Sequence, residues 1–127
     1  MEFLKHLKNY LVYLETDRYS SINDTIQMSH NIIFNNNIEL SIQGSRGHYC
    51  IPKENIDYDK YTHMEVALLK NGNFVRVNKL ISLLPEEDTY KDHYNGCIYS
   101  FVPVKKIEKL YQELKRRYGL KETLWEI

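Results

Sequence analysis

Alternation of apolar and polar residues along Ile38–Gln43 is the feature that most constrains the fold. The segment reads I-E-L-S-I-Q, with an apolar residue at every second position. Because side chains of a strand point alternately to its two faces, this order places all the apolar groups on one side. The segment therefore predicts a strand of a sheet that has one face on a core and one face towards water.

Turn signals connect this strand to its neighbours. Residues 25–34 alternate in the same way, and three asparagines between the two segments tolerate the left-handed backbone of a tight hairpin. Asn71-Gly72 is the strongest hairpin signal in the chain, and its two-residue turn would place Leu68 opposite Val75. The predicted strands are 25–34, 38–43, 63–70, 73–78 and 97–102.

Helical spacing of apolar residues occurs at both ends of the chain. It covers residues 2–16 and the segment that begins after Pro103, which suits a first helical turn, and stops at Gly119. We therefore predict an α+β fold, in which a mainly antiparallel sheet of about five strands carries N-terminal and C-terminal amphipathic helices. A chain of 127 residues is expected to form a single domain, residues 1–127.

Charge and cysteine content restrict the class of protein. Seventeen basic residues balance seventeen acidic ones, so the net charge favours neither nucleic acid nor an anionic membrane. No apolar run approaches the length of a membrane span, and we expect neither a secretion signal nor membrane association. Two cysteines are too few for a disulfide framework, which predicts a cytosolic protein with free thiols.

The segment after the strand predicted at 38–43, Gly44-Ser45-Arg46-Gly47, begins the densest group of functional residue types. Two glycines are expected to supply positive φ angles, and an arginine beside converging N–H groups would suit a phosphate. The segment matches neither G-x-x-x-x-G-K-[ST] nor G-x-G-x-x-G, so a simple turn with an exposed arginine is the alternative. The predicted binding residues are Arg46, His48, Tyr49, Lys53 and Tyr61.

Metal and nucleophile chemistry lack the spacing that such sites need. Residue types that bind zinc are present at His48, Cys50, His63, His93 and Cys97. Structural zinc sites usually show paired ligands at short spacing, and here only one H-x-C pair exists. A cysteine nucleophile with a histidine base also has no motif around it. We therefore predict no metal site, no cofactor and no catalytic residue, and the chain is not expected to be an enzyme.

The C-terminal helix is basic, and its cations form a second candidate surface. They would suit a phosphate backbone or an acidic partner. A solvated outer face, whose late cations are favoured by the helix dipole, is the alternative. The cations of this predicted patch are Lys105, Lys106, Lys109 and Arg116.

In three stretches the chain resembles a group of small phage and prophage proteins of unassigned activity. They are I-E-L-S-I-Q-G-S-R-G-H-Y-C-I-P at 38–52, Y-T-H-M-E-V-A-L at 61–68 and Y-S-F-V-P-V-K-K-I-E-K-L at 99–110. The resemblance covers residues 38–118, and heavy use of Ile, Lys, Asn and Tyr fits an AT-rich genome. It implies a non-enzymatic protein that blocks a host defence system, as anti-CRISPR proteins and signal-nucleotide sponges do. It assigns no functional residue.

These observations lead to one prediction of function and two alternatives. The prediction is a binding protein, encoded by a phage or mobile element, that inhibits a bacterial defence system by binding a host protein or its nucleic acid. The first alternative is a binder of a small nucleotide or other anion near Arg46. The second is a small enzyme that uses Cys50 or a histidine. An exposed sheet edge or a tyrosine-rich surface would also suit a homodimer.

Overall fold

The computed structural model describes residues 1–13, 25–81 and 90–122. Its strands are β1 (Asn9–Tyr13), β2 (Thr25–Ser29), β3 (Ile32–Phe34), β4 (Ile38–Gln43), β5 (His63–Lys70), β6 (Asn73–Phe74), β7 (Tyr94–Asn95) and β8 (Ile98–Pro103). The helices are α1 (Val77–Leu80) and α2 (Val104–Tyr118). This arrangement confirms the α+β class.

Two sheets are built from these strands, and every pairing in them is antiparallel. Strands β1 and β2 form a separate two-stranded sheet. The main sheet has the order β3-β4-β5-β8-β7, with β6 beside β5. The predicted strand at 97–102 is shifted by one residue, and β8 lies between β5 and β7.

Helix α2 covers the main sheet, as the apolar spacing predicted. Four side chains of its inner face are buried, namely Ile107, Leu110, Tyr111 and Leu114. They join a core that includes the fully buried Phe34, whose ring lies 6.1 Å from that of Tyr111. Each large apolar side chain removed from water stabilises the fold by about 1.5–3 kcal/mol. Gly119 ends the helix at a φ of 75°.

The N-terminal helix predicted for residues 2–16 is wrong. Glu2–His6 form a short 3-10 turn, and Asn9–Tyr13 form β1; residues 14–16 lie outside the described segments. Leu11, which the predicted helix would bury, is 60% exposed. The sequence N-Y-L-V-Y is rich in residues that favour strands. Pairing with β2 also gives more of its backbone N–H and C=O groups a partner than they would have at the end of a helix.

The single strand predicted at 25–34 is two strands in two sheets. β2 pairs with β1, β3 pairs with β4, and His30 and Asn31 separate them. The apolar residues keep one two-residue period across the break, which is why the pattern alone predicts one strand. Burial does not keep that phase, because the polar face of β2 is the buried one and the apolar face of β3 is the buried one. The buried residues are Thr25, Gln27 and Ser29 in β2 and Ile32 and Phe34 in β3.

Buried glutamine amides join the two sheets. Ser29 N donates to Gln43 Oε1 at 2.8 Å, and Gln43 Nε2 donates to Ser29 O at 2.9 Å. The side chain thus makes both bonds that a residue of a neighbouring strand would make. Gln27 Nε2 donates to Gly44 O at 2.9 Å and to Ile56 O at 2.7 Å. Both glutamines are buried, so these bonds hold β2 against the end of β4.

The Asn71-Gly72 turn is confirmed, but the strand predicted at 73–78 is wrong beyond Phe74. Leu69 pairs with Phe74, and Val75 N donates to Leu68 O at 2.9 Å. Farther along the same edge, β5 pairs with β8, so β6 has no edge left to follow. The chain turns instead into α1 at Val77.

Among the described residues, no helix combines the length and the apolarity that crossing a lipid bilayer requires.

We expect Gln43→Leu to destabilise the protein by about 2 kcal/mol or more, because it leaves the N–H and C=O of Ser29 buried without partners. Urea unfolding followed by circular dichroism measures this. Gln112→Leu, at an exposed amide of α2, is the control and should change the free energy of unfolding by less than about 0.5 kcal/mol. Equal stability of the Gln43 variant and the wild type would contradict the role of the amide.

Candidate binding surface

Gly44 and Gly47 are required for space, and the positive φ angles predicted for them are wrong. The described glycines with positive φ are Gly72, Gly96 and Gly119. A Cβ atom at Gly44 would lie 2.7 Å from a ring carbon of Tyr61, and one at Gly47 would lie 2.8 Å from Cγ2 of Ile26. The turn is therefore packed closely onto β2 and onto the Tyr61 ring.

Three consecutive N–H groups in this turn, from Arg46 to His48, are already bonded within the protein. Arg46 N donates to Asn55 Oδ1 at 3.0 Å, and Gly47 N donates to Ser45 Oγ at 2.9 Å. His48 N donates to Ser45 O at 3.4 Å. An anion held by converging backbone N–H groups needs them unoccupied. Arg46 is exposed, and its guanidinium is the group that this turn offers to a ligand.

A polar cluster of Ser45, His48 and Cys50 lies beneath the turn. Ser45 Oγ is 2.5 Å from His48 Nδ1, and Cys50 Sγ donates to Ser45 O at 3.0 Å. Burial lowers the pKa of His48 and raises the pKa of the Cys50 thiol. Because the thiolate is the nucleophilic form, this environment keeps Cys50 in its less reactive state. The hydrogen bonds of this cluster hold the turn in place from its buried side.

Tyr61 is also an internal residue. Its ring is buried, its hydroxyl donates to Glu54 O at 2.5 Å, and the hydroxyl oxygen lies 2.9 Å from Gln27 Nε2. Ile56 N donates to the same hydroxyl at 3.3 Å. Of the five predicted binding residues, the structure thus places Tyr61 and His48 inside and leaves the other three at the surface.

The surface residues are Arg46, Tyr49 and Lys53, and two of them are in contact. Tyr49 is 43% exposed, and Lys53 Nζ lies 5.6 Å from the centre of its ring. At this distance an ammonium group is attracted to the face of an aromatic ring. Arg46 lies in the same loop three residues before Tyr49.

A β-bulge in β8 adds an aromatic residue that the sequence analysis missed. Ser100 and Phe101 together lie opposite the single residue Glu65 of β5. The extra residue turns Phe101 away from the core, so that it is 42% exposed although Tyr99 is buried. Strict alternation places Phe101 and Tyr99 on the same face, and nothing in the apolar pattern marks the bulge.

Phe101 adopts a φ of 52°, in the left-handed region that bulky residues rarely enter. Its N–H donates to Tyr49 O at 3.1 Å, and the two rings lie 5.9 Å apart. Tyr49 N in turn donates to Glu65 Oε2 at 3.0 Å. We call Tyr49, Phe101 and Lys53 the aromatic patch. Backbone strain of this kind is concentrated at functional sites.

The basic helix presents only part of its predicted patch. Lys105 and Lys109 are exposed on the outer face of α2. Lys106 Nζ lies 2.9 Å from His93 Nε2. Arg116 forms an ion pair with Glu113, and with Arg117 it lowers the pKa of that carboxyl to about 2. Part of the positive charge is therefore compensated within the helix.

The residue types that bind zinc are dispersed. His63 Nδ1 lies 2.8 Å from Thr62 Oγ1, and His93 Nδ1 lies 3.1 Å from Ser100 O. Cys97 is exposed and Cys50 is buried, and both are free thiols. Across residues 1–13, 25–81 and 90–122, no three His, Cys, Asp or Glu side chains come together to hold a metal ion.

Comparison of the chain with protein-family models, with curated proteins and with solved structures finds no match. The function is therefore inferred from the geometry of the surface and from the chemistry of its residues.

We expect the stability of the protein to fall as the pH drops below about 6.5, because burial lowers the pKa of His48 in the folded chain. In that range the unfolded chain binds more protons than the native chain, so the loss of stability accumulates until the pH has passed the folded-state pKa. Urea unfolding at pH 7.5 and pH 5.5 measures the loss, which should be smaller in His48→Gln. An unchanged pH dependence in this variant would contradict the assignment. His93→Gln tests a separate contribution, because burial and Lys106 lower the pKa of His93.

We expect one fast-reacting thiol in the native protein and two after unfolding, because Cys97 is exposed and Cys50 is buried with a raised pKa. Reaction with a chromogenic disulfide measures both. In Cys97→Ser the remaining thiol should react only as the protein opens. Native-state reaction of Cys50 at the rate of a free thiol would support the alternative of a cysteine nucleophile.

Proposed function

We propose that this protein is a non-catalytic binding protein, encoded by a phage or mobile element, that inhibits a bacterial defence system by occupying one of its proteins. The observation that carries the proposal is the strained, exposed Phe101 beside Tyr49. The resemblance of residues 38–118 to small phage proteins supports the class of partner, and the aromatic patch supplies the contact.

The aromatic patch has the composition of an interface centre. Aromatic residues and arginine are enriched where protein partners bury their contacts, and few such residues supply most of the binding energy. Tyr49 and Phe101 offer two adjoining rings, and Arg46 offers a planar group with several donors for a carboxylate rim. A partner with an apolar pocket surrounded by acidic residues fits this surface.

The patch is also held in place before any partner arrives. The Phe101 backbone is bonded to Tyr49, and the Tyr49 backbone is bonded to Glu65 of the central strand β5. A residue fixed in this way loses less conformational entropy on binding than one on a mobile loop. The strain at Phe101 costs about 1–2 kcal/mol in the free protein, and the strand pairs on both sides of the bulge hold the residue in this conformation.

A protein partner fits the patch better than a nucleic acid does. The two rings are inclined by 58°, so they do not offer parallel faces to successive bases. Lys53 lies over the Tyr49 ring. A nucleic acid strand is expected to bind at the exposed cations of α2 instead.

We expect Phe101→Ala to weaken binding to the partner at least about thirtyfold, equivalent to about 2 kcal/mol, because it removes a central anchor. The tagged chain is used to capture proteins from bacteria carrying defined defence systems. The captured protein is then purified, and its affinity for each variant is measured by biolayer interferometry. Plaque counts on the same strains show whether the wild-type chain lets phage escape the defence system and whether the variant loses this effect.

Phe74→Ala is the matched control, because Phe74 is 53% exposed on the short strand β6. It should change the affinity less than about twofold. Phe101→Gly separates binding from folding, since glycine adopts positive φ without a Cβ clash. This variant should melt no lower than Phe101→Ala and still fail to bind. Wild-type affinity in both Phe101 variants would exclude the aromatic patch as the contact surface.

A further inference from the structure

A second surface feature lies on the other side of β2, where the two sheets separate. It is a groove of about 1050 Å³ between the N-terminal segment, the β2–β3 junction, β4 and the residues after α2. Its volume lies just above the range usual for small-molecule sites, about 300–1000 Å³. The aromatic patch contributes no residue to its lining.

Positive charge is concentrated around this groove. Lys5, Lys8 and Lys121 line it, and all three are exposed. None of them forms an ion pair with a residue of the described segments, whose salt bridges join α2 cations to Glu2 and Glu113. Like charges gathered in one place repel one another and attract an anion.

An exposed aromatic pair lies at the same groove. The rings of Tyr10 and His30 are 4.8 Å apart and inclined by 38°. Both residues line the groove and both are exposed, so the contact adds nothing to the apolar core. The two rings are tilted and not stacked on each other, and an exposed ring face of the pair offers a π surface to a flat heterocycle.

Among the described residues that line the groove, one is a carboxylate. Glu39 is half-buried, and its Oε1 accepts a hydrogen bond from Asn31 Nδ2 at 3.4 Å. Its charge opposes a phosphate beside it, whereas its free oxygen can accept a hydrogen bond from a hydroxyl or an amino group. The lining therefore combines cations, a stacking surface and an acceptor.

We propose that this groove binds a nucleoside diphosphate or a ligand of the same chemistry. The base stacks on Tyr10 and His30, the phosphates are bound by Lys5, Lys8 and Lys121, and Glu39 accepts a bond from the ribose or the base. Three ammonium groups match the roughly threefold negative charge of a diphosphate at neutral pH. The site is separate from the turn at Arg46 and does not depend on the binding function proposed for the aromatic patch.

Isothermal titration calorimetry with ADP, inorganic pyrophosphate and adenosine tests the site. ADP should bind, and each of the two partial ligands should bind at least tenfold more weakly. Lys5→Gln and Lys8→Gln should each weaken ADP binding about tenfold, and the affinity of the wild type should fall as the salt concentration rises. Tyr10→Leu should weaken ADP binding but leave pyrophosphate binding unchanged. Tyr10→Phe, which keeps the ring, should bind ADP as the wild type does.

Lys109→Gln removes the same charge from the outer face of α2 and should leave ADP binding unchanged. Phe101→Ala should also bind ADP normally, so failure of the aromatic patch and failure of the groove are distinguishable. Thermal melting confirms that each variant is folded. Absence of ADP binding at millimolar concentration overturns the proposal, as does equal weakening by Lys109→Gln. Tighter binding of a ten-nucleotide single strand than of ADP would reassign the groove to nucleic acid.

Discussion

The fold depends on buried side-chain amides that take the place of strand pairing. Strands β1 and β2 have no ladder to the main sheet, and Gln43 and Gln27 supply the polar bonds that join them to it. A buried amide is stabilising only when its partners are fixed in position, so these two residues set where β2 lies against β4. Both candidate surfaces follow from that placement, since the loop of Tyr49 packs on β2 and the groove opens beside it.

The two surfaces differ in how the chain holds them. Phe101 is exposed because of a bulge in the central β5–β8 pairing, and the paired residues on either side of the bulge fix the position of its backbone. The groove is lined by four separate segments, among them the N-terminal turn, where Phe3 N donates to Glu108 Oε1 at 2.9 Å. A rigid aromatic anchor suits a protein contact, and a charged groove between segments suits a small ligand.

The sequence patterns correctly predicted those features of the fold that depend only on neighbouring residues. The alternation at Ile38–Gln43, the Asn71-Gly72 turn and the apolar face of α2 all appear in the structure, because periodicity and turn chemistry act within a few residues. The errors arose where a distant part of the chain determines the local structure. Pairing with β2 makes residues 9–13 a strand, β8 occupies the edge that β6 would need, and a bulge exposes Phe101. At the candidate site, Arg46, Tyr49 and Lys53 were found at the surface, whereas burial of His48 and Tyr61 depends on packing that no spacing reveals.

The β1–β2 ribbon has a consequence for the dynamics of the molecule. Two strands alone are marginally stable in water, and this pair is tied to the main sheet mainly through side chains of β2 and β4. The ribbon is therefore a natural unit of partial unfolding, whose amide hydrogens exchange with solvent before those of β5. Any molecule that bridges the ribbon and the main sheet closes that opening, so occupancy of the groove and protection of β1 are thermodynamically linked.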